Sequence, residues 1–284
     1  MISTFWTNTI WYILLAAVSL VQLIFIMVRA KRRNLTFAFF LTMMGIAFSL
    51  ETVILIFLKS YEYYPMIFAA SSDPFNDSIA GNIFSQFSVS VSVLLAIVLN
   101  LKYYWYFILA AIYGVVEELF LSLGIYRHNW YRTWMTVAMF PIAIWMTKRM
   151  YSKLIQGIKP ISYYGYVILS LFPLYSITIL WGLQLMGYLA FNTTILHDPI
   201  NSRYLIALII YFISPSVIMM IVYFGKFKFY WKVLAIAMLY GLYYSSYRFN
   251  LVWVKQGCFV AVSTATIVWM YLSIFLADRL YGGL

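Results

Sequence analysis

The chain is a succession of long apolar segments separated by short polar or charged stretches. A helix that crosses a bilayer needs about 20 mostly apolar residues, and nine segments approach or meet that length. They cover residues 9–28, 35–58, 82–101, 103–123, 133–147, 161–190, 204–225, 231–247 and 251–276. This pattern predicts an all-α, polytopic transmembrane helix bundle of about nine spans, formed as a single domain over residues 1–284. Eight or ten spans remain possible, because only Lys102 separates the third segment from the fourth.

An aromatic and glycine pattern occurs twice along the chain. Tyr104-Trp105 followed by Tyr113-Gly114 returns, 126 to 127 residues later, as Tyr230-Trp231 followed by Tyr240-Gly241. Parallel repeats occur in transporter folds, so the pattern suggests two four-helix units after a lead helix. The corresponding ranges are 35–150 and 161–278 for the units and 9–28 for the lead helix. Chance recurrence in a chain with 26 tyrosines is the alternative.

Composition excludes the soluble and disordered classes. Hydrophobic residues make up 65% of the chain and charged residues 10%, against about 25% charged in an ordinary soluble domain. So few polar side chains cannot coat a soluble domain of this size.

The basic residues predict an orientation. With nine spans, 13 of the 19 lysines and arginines fall on one side of the membrane and 6 on the other. The positive-inside rule assigns the richer side to the cytoplasm, with the N-terminus out and the C-terminus in. Contact with anionic lipid headgroups then explains the net charge of +11 without a nucleic-acid partner.

Five ionisable residues are predicted in the outer half of the membrane: Glu51, Glu117, Glu118, Arg248 and Lys255. An ionisable group at bilayer depth costs about 2.5–3.5 kcal/mol, so such groups mark functional sites by default. The hypothesis is that they form a ligand or ion pocket that faces outward. The alternatives are solvation at headgroup level, a structural hydrogen-bonding role for Glu51, and snorkelling of the two basic side chains.

A small-molecule or ion transporter, channel or receptor-like binder is therefore the leading functional expectation. A structural or assembly protein of an envelope or spore membrane is one alternative, and a membrane-embedded lipid-handling enzyme is another. The enzymatic role is not favoured, because Glu117-Glu118 is followed by Ser122 where the E-E-x-x-x-R motif of CAAX-type intramembrane proteases has arginine. We expect no cofactor and no metal, since His128 and His197 are the only histidines.

Residues from about 82 to 150 resemble an uncharacterised family of small multi-pass membrane proteins from spore-forming Firmicutes. The resemblance is carried by Glu118, Gly124, Tyr126, Asn129-Trp130, Trp134 and Phe140-Pro141. It implies a multi-pass protein of a bacterial cytoplasmic membrane, and no activity comes with the family. The chain departs from the family pattern by lacking a glycine between Asn129 and Trp130, and by being much longer.

The loop within this stretch has its own candidate anchors. Trp130 and Trp134 lie four residues apart and suit the membrane interface. Arg127 and Arg132 flank them near the predicted level of Glu117 and Glu118. We expect either a salt bridge that fixes the turn or a role in ligand capture.

Overall fold

The computed structural model describes residues 4–68, 75–157 and 160–282. Over these residues the chain forms nine long helices joined by short turns. Their bounds are α1 Phe5–Arg29, α2 Arg33–Phe57, α3 Phe75–Val98, α4 Tyr103–Ser122, α5 Thr133–Gln156, α6 Ile161–Leu185, α7 Pro199–Phe224, α8 Phe229–Arg248 and α9 Phe259–Tyr281. Each apolar segment predicted from the sequence overlaps one of these helices. The architecture is therefore an all-α helical bundle.

Seven of the helices in the described part of the chain are long and apolar enough to cross a membrane. The other two are α5 and α8, which are also at least 20 residues long. Basic, tyrosine and hydroxyl side chains lower their mean hydropathy. The chain is thus a multi-pass membrane protein by the length and composition of its helices.

Four strands of three residues each interrupt the helical pattern. They are β1 Tyr61–Tyr63, β2 Tyr126–His128, β3 Leu189–Phe191 and β4 Val252–Val254, and they form two antiparallel sheets, β1 with β2 and β3 with β4. The sequence prediction missed them, because three residues are too few for an alternating pattern to stand out. The ninth segment was accordingly predicted to begin too early. Lys255 lies in the turn between β4 and α9, and not one turn inside the last helix.

The chain divides after Tyr163 into two compact units. In the first unit, α1 is followed by α2, β1, α3, α4, β2 and α5. The second unit has the same order of helices and strands, with α6, β3, α7, α8, β4 and α9. Backbone details recur as well. Residues with positive φ recur at the same spacing in both units. Asn100, after α3, and Lys226, after α7, both have φ 49°. Gly124, after α4, and Asn250, after α8, have φ 68° and 55°.

Hydrogen bonds join elements of the first unit at both ends of its helical bundle. At one end α1 binds the strand region, where Asn8 donates to the carbonyl of Tyr64 and the Tyr12 hydroxyl donates to the carbonyl of Ile125. At the opposite end Thr36 of α2 and Tyr151 of α5 share a hydrogen bond of 2.9 Å. Between these ends the first unit encloses a cavity.

Candidate functional site

The cavity of the first unit has a volume of about 400 Å³ and lies among α2, α3, α4, α5 and the β1–β2 sheet. Its walls are mostly apolar side chains, among them Met43, Ile46, Ala47, Val89, Val93, Met139, Ile142, Ala143 and Met146. Its polar side chains include Glu51, Ser85, Gln86, Ser90, Glu117 and Thr136. A concave apolar pocket of this size with a few convergent polar groups is the usual form of a small-molecule site.

Glu51 is the most enclosed charged group of the cavity. Its side chain is 8% exposed, and the Tyr61 hydroxyl donates to both of its carboxylate oxygens at 2.6 Å. The backbone changes from α-helical to π-helical directly after it, over Thr52–Phe57. Glu51 is therefore held at a fixed point by a neutral donor.

Glu117 is the second carboxylate of the cavity and has two partners of its own. Its Oε1 lies 2.6 Å from His128 Nε2, and its Oε2 accepts a hydrogen bond of 2.5 Å from the Thr136 hydroxyl. His128 is the last residue of β2, so the sheet delivers this imidazole to the helix. The hydrogen bond therefore joins the sheet to α4 at the wall of the cavity.

Four tyrosines cover the polar end of the cavity. Rings of Tyr63, Tyr126 and Tyr131 lie around that of Tyr61, with centroids 5.1 to 5.5 Å away. Burial, followed by the charge of Glu51, raises the pKa of Tyr61. Burial also raises the pKa of Tyr63 and Tyr126. The hydroxyls therefore stay neutral and act as donors at the pH of a cell.

Two serines of α3 hold an aromatic residue of the cavity wall in place. Ser88 and Ser92 bond the hydroxyl of Tyr113 at 2.8 and 2.9 Å, while the Tyr113 ring stacks on Phe140. The pair thus positions one aromatic wall of the cavity. Ser90 lines the cavity itself.

The cavity reaches the side surface of the first unit between α2 and α5. Four of its lining residues with large side chains are also exposed: Leu50 at 57%, Ile142 at 46%, Met139 at 58% and Met146 at 53%. All four are apolar and lie on helical surface that a bilayer would cover. An apolar molecule dissolved in lipid can therefore approach the cavity from the side.

The five residues predicted to share a pocket divide into two groups. Glu51 and Glu117 line the same cavity. Glu118 is exposed, lies outside the cavity lining, and accepts a hydrogen bond from the Thr133 hydroxyl. Arg248 and Lys255 belong to the second unit, where Arg248 ends α8 and the Lys255 ammonium lies 5.0 Å from the centre of the Tyr188 ring.

The predicted loop anchors have partners other than Glu117 and Glu118. Arg127 lies opposite Glu62 in the β1–β2 sheet, and Arg132 donates to the carbonyls of Asn129 and Tyr131. The β1–β2 register therefore places Arg127 beside an acidic residue of the sheet, and Arg132 contacts the backbone of its own loop.

The two loop tryptophans differ in their contacts. The Trp130 indole donates to the carbonyl of Leu58 at 2.8 Å, which ties the loop to the end of α2. Trp134 is 65% exposed. Both side chains therefore remain available to an interface, but Trp130 also closes the turn.

Tyrosines fill the corresponding part of the second unit. Tyr211 and Tyr243 stand 126 residues after Ser85 and Glu117, and their rings stack in parallel with centroids 4.5 Å apart. Both side chains are fully buried, as is that of Tyr175. Where the first unit has a carboxylate beside a cavity, the second has packed aromatic rings.

Sequence reasoning missed Tyr61, His128 and Thr136, which are the direct partners of the two carboxylates. Their roles depend on the two strands, which the apolar pattern did not reveal. One signal was available: Tyr61 and Tyr63, like Tyr126 and His128, are polar aromatic residues spaced two apart, as residues on one face of a strand are. In the described part of the chain, no group of three or more histidine, cysteine or acidic residues is arranged to hold a metal ion.

Comparison with protein-family models, with curated proteins and with solved structures gave no match for this chain. Its function is therefore inferred from the geometry of its own residues.

Proposed function

We propose that this protein binds a small amphipathic molecule in the cavity of its first unit, as a transporter or receptor-like binder of a bacterial cytoplasmic membrane. The observation that carries the proposal is one cavity of about 400 Å³ with apolar walls and a polar end that contains Glu51 and Glu117. A purely structural role would be served better by a packed core around Glu51, because a cavity removes packing contacts.

A lipid-handling role is the second candidate. The apolar exposed residues between α2 and α5 favour it, since they give lipid-dissolved molecules a lateral path to the two carboxylates. Both functions require that an amphipathic molecule occupies the cavity.

We further propose nine spans, with the N-terminus outside and the C-terminus in the cytoplasm. The support is the excess of basic residues on one side, 13 against 6, and the length of α5 and α8. In this arrangement the basic turns contact anionic headgroups on the cytoplasmic face. The resemblance to membrane proteins of spore-forming Firmicutes supports the choice of a bacterial membrane.

Photolabelling in a lipid bilayer tests occupancy of the cavity. The full chain is reconstituted in lipid nanodiscs, exposed to the neutral photoreactive alcohol azi-octanol, irradiated and mapped by peptide mass spectrometry. We expect labels on cavity residues of α2 and α5. Ala143→Trp places an indole at the lateral opening and should reduce that labelling at least fivefold.

Ala138→Trp is the matched control, because Ala138 is an exposed residue of the same helix that lies outside the cavity lining. It should label as the parent chain does. Labelling spread evenly over the lipid-facing surface, and equal in both variants, would reject the proposal in favour of a structural role. Flux across proteoliposome membranes then separates a transporter from a binder.

A further inference from the structure

The charges around the cavity are unbalanced. Two carboxylates line it, and among the described residues no lysine or arginine does. Glu117 has the imidazole of His128 at 2.6 Å, but the partner that the structure gives to Glu51 is the neutral hydroxyl of Tyr61. A buried carboxylate without a cation nearby costs free energy, and either an added proton or a bound cation removes that cost.

The position of the Tyr61 hydroxyl gives Glu51 a hydrogen-bond donor but no counter-charge. A hydroxyl that lies 2.6 Å from both carboxylate oxygens can donate to either of them, and it supplies no charge. When Glu51 is ionised, its negative charge therefore has no counter-charge among the described residues that line the cavity. A proton on Glu51 or a positive charge on a bound molecule can supply it.

Aromatic rings favour the same kind of ligand. Tyr61, Tyr63, Tyr126 and Tyr131 all line the polar end of the cavity. The face of an aromatic ring attracts a cation, and quaternary ammonium groups are commonly recognised by several such rings together. Organic cations are also weakly hydrated, so they lose little on entering an apolar site.

We infer that the ligand is a hydrophobic organic cation, with its positive group beside Glu51 and against the tyrosines that line the polar end, and its apolar part along the methionine-rich wall of α5. This inference rests on the proposed function and specifies the ligand class of the same cavity. The lateral opening between α2 and α5 suits such molecules, because they concentrate in the bilayer before they bind.

The test compares three molecules of nearly the same shape on the full chain in nanodiscs. Benzyltrimethylammonium is the cation, neopentylbenzene replaces its nitrogen by carbon, and phenylmethanesulfonate carries a negative charge. Affinity is measured by displacement of azi-octanol labelling. We expect the cation to bind at least tenfold more tightly than its neutral isostere, and the anion to be the weakest.

Substitutions of two carboxylates then test which of them interacts with the cation. Glu51→Gln should lower the affinity for benzyltrimethylammonium at least tenfold and leave neopentylbenzene unchanged. Glu118→Gln, which alters an exposed carboxylate outside the cavity, should change neither. The comparison of the three molecules needs no variant, so it decides the inference even where Glu51→Gln fails to fold.

The outcomes separate the two proposals. Equal affinities for the cation and its isostere, or tightest binding of the anion, would overturn the inference while leaving a small-molecule site in place. Failure of all three to displace the label, together with labelling that Ala143→Trp does not reduce, would overturn the proposed function as well.

Discussion

Replacing Tyr61 with phenylalanine removes one hydroxyl from the polar end of the cavity and keeps the ring. That hydroxyl is the donor to both oxygens of Glu51, at 2.6 Å each. The ring contacts with Tyr63, Tyr126 and Tyr131 should survive the substitution. Tyr61→Phe therefore isolates the contribution of the hydroxyl to the stability of the first unit.

The magnitude follows from burial and charge. A hydrogen bond to a charged group contributes about 1.5–3 kcal/mol net, and leaving a buried acceptor unpaired is costly. Since Tyr61 and Glu51 are 5% and 8% exposed, we expect the free energy of unfolding to fall by about 2–3 kcal/mol. At about 2–4 °C per kcal/mol, the melting temperature should fall by roughly 4–12 °C.

The assay is thermal unfolding of the full chain in nanodiscs, with a matched control. The Tyr64 hydroxyl donates to Glu62, but Tyr64 is only partly buried. Tyr64→Phe makes the same chemical change where water can replace the lost donor, so it should cost less than about 1 kcal/mol. A difference between the two variants measures the effect of burial.

A double-mutant cycle with Glu51→Gln completes the measurement. Residues in direct contact couple by about 0.5–3 kcal/mol, whereas independent sites add to within about 0.3–0.5 kcal/mol. A coupling below about 0.5 kcal/mol, or equal losses in Tyr61→Phe and Tyr64→Phe, would show that the hydroxyl does not hold the carboxylate in place.

Two further predictions concern the fold and its orientation. A Cβ added at Gly81 would lie 2.4 Å from the Cβ of Tyr63, so Gly81→Ala should lower the melting temperature in nanodiscs by several degrees. A Cβ at Gly241 would meet nothing within 4 Å, so the control Gly241→Ala should be neutral or stabilise the protein by up to about 1 kcal/mol. Equal effects of the two substitutions would contradict the close packing of α3 on β1. Cys258, the one cysteine of the sequence, lies between β4 and α9, which the proposed topology places outside, so a membrane-impermeant maleimide should label it in intact cells. A cysteine introduced by Ser152→Cys in a Cys258→Ser chain lies on the cytoplasmic side and should react only after lysis. The reverse pattern would invert the proposed topology.

The helices were predictable from the sequence because length and hydropathy alone decide whether a segment can cross a bilayer. Glu51 and Glu117 could be selected for the same reason, since a carboxylate within an apolar segment is conspicuous. Their placement beside one cavity is a consequence of how α2 and α4 pack against α3 and α5. No local pattern in the sequence specifies that packing.

The rest of the site depends on interactions between residues far apart in the chain. Tyr61 reaches Glu51 only because the chain turns back into β1, and His128 reaches Glu117 only because β2 pairs with β1. Shared predicted depth suggested that Glu118 would join Glu117 in one pocket, yet Glu118 lies outside the cavity lining. Depth in a membrane fixes one coordinate of a residue and leaves its position in the plane undetermined, so depth could not show which residues meet.

The order of elements within each unit has a consequence for how such a chain can grow. When α1 is set aside, the first unit has four helices that alternate in direction, so α2 starts and α5 ends at the end of the bundle away from the sheet. A segment with an even number of crossings can be copied head to tail, or lost, without inverting anything that follows it in the bilayer. Two units with this order of elements can therefore differ in their interiors, one polar and one packed with tyrosines, without any change in the direction of their helices.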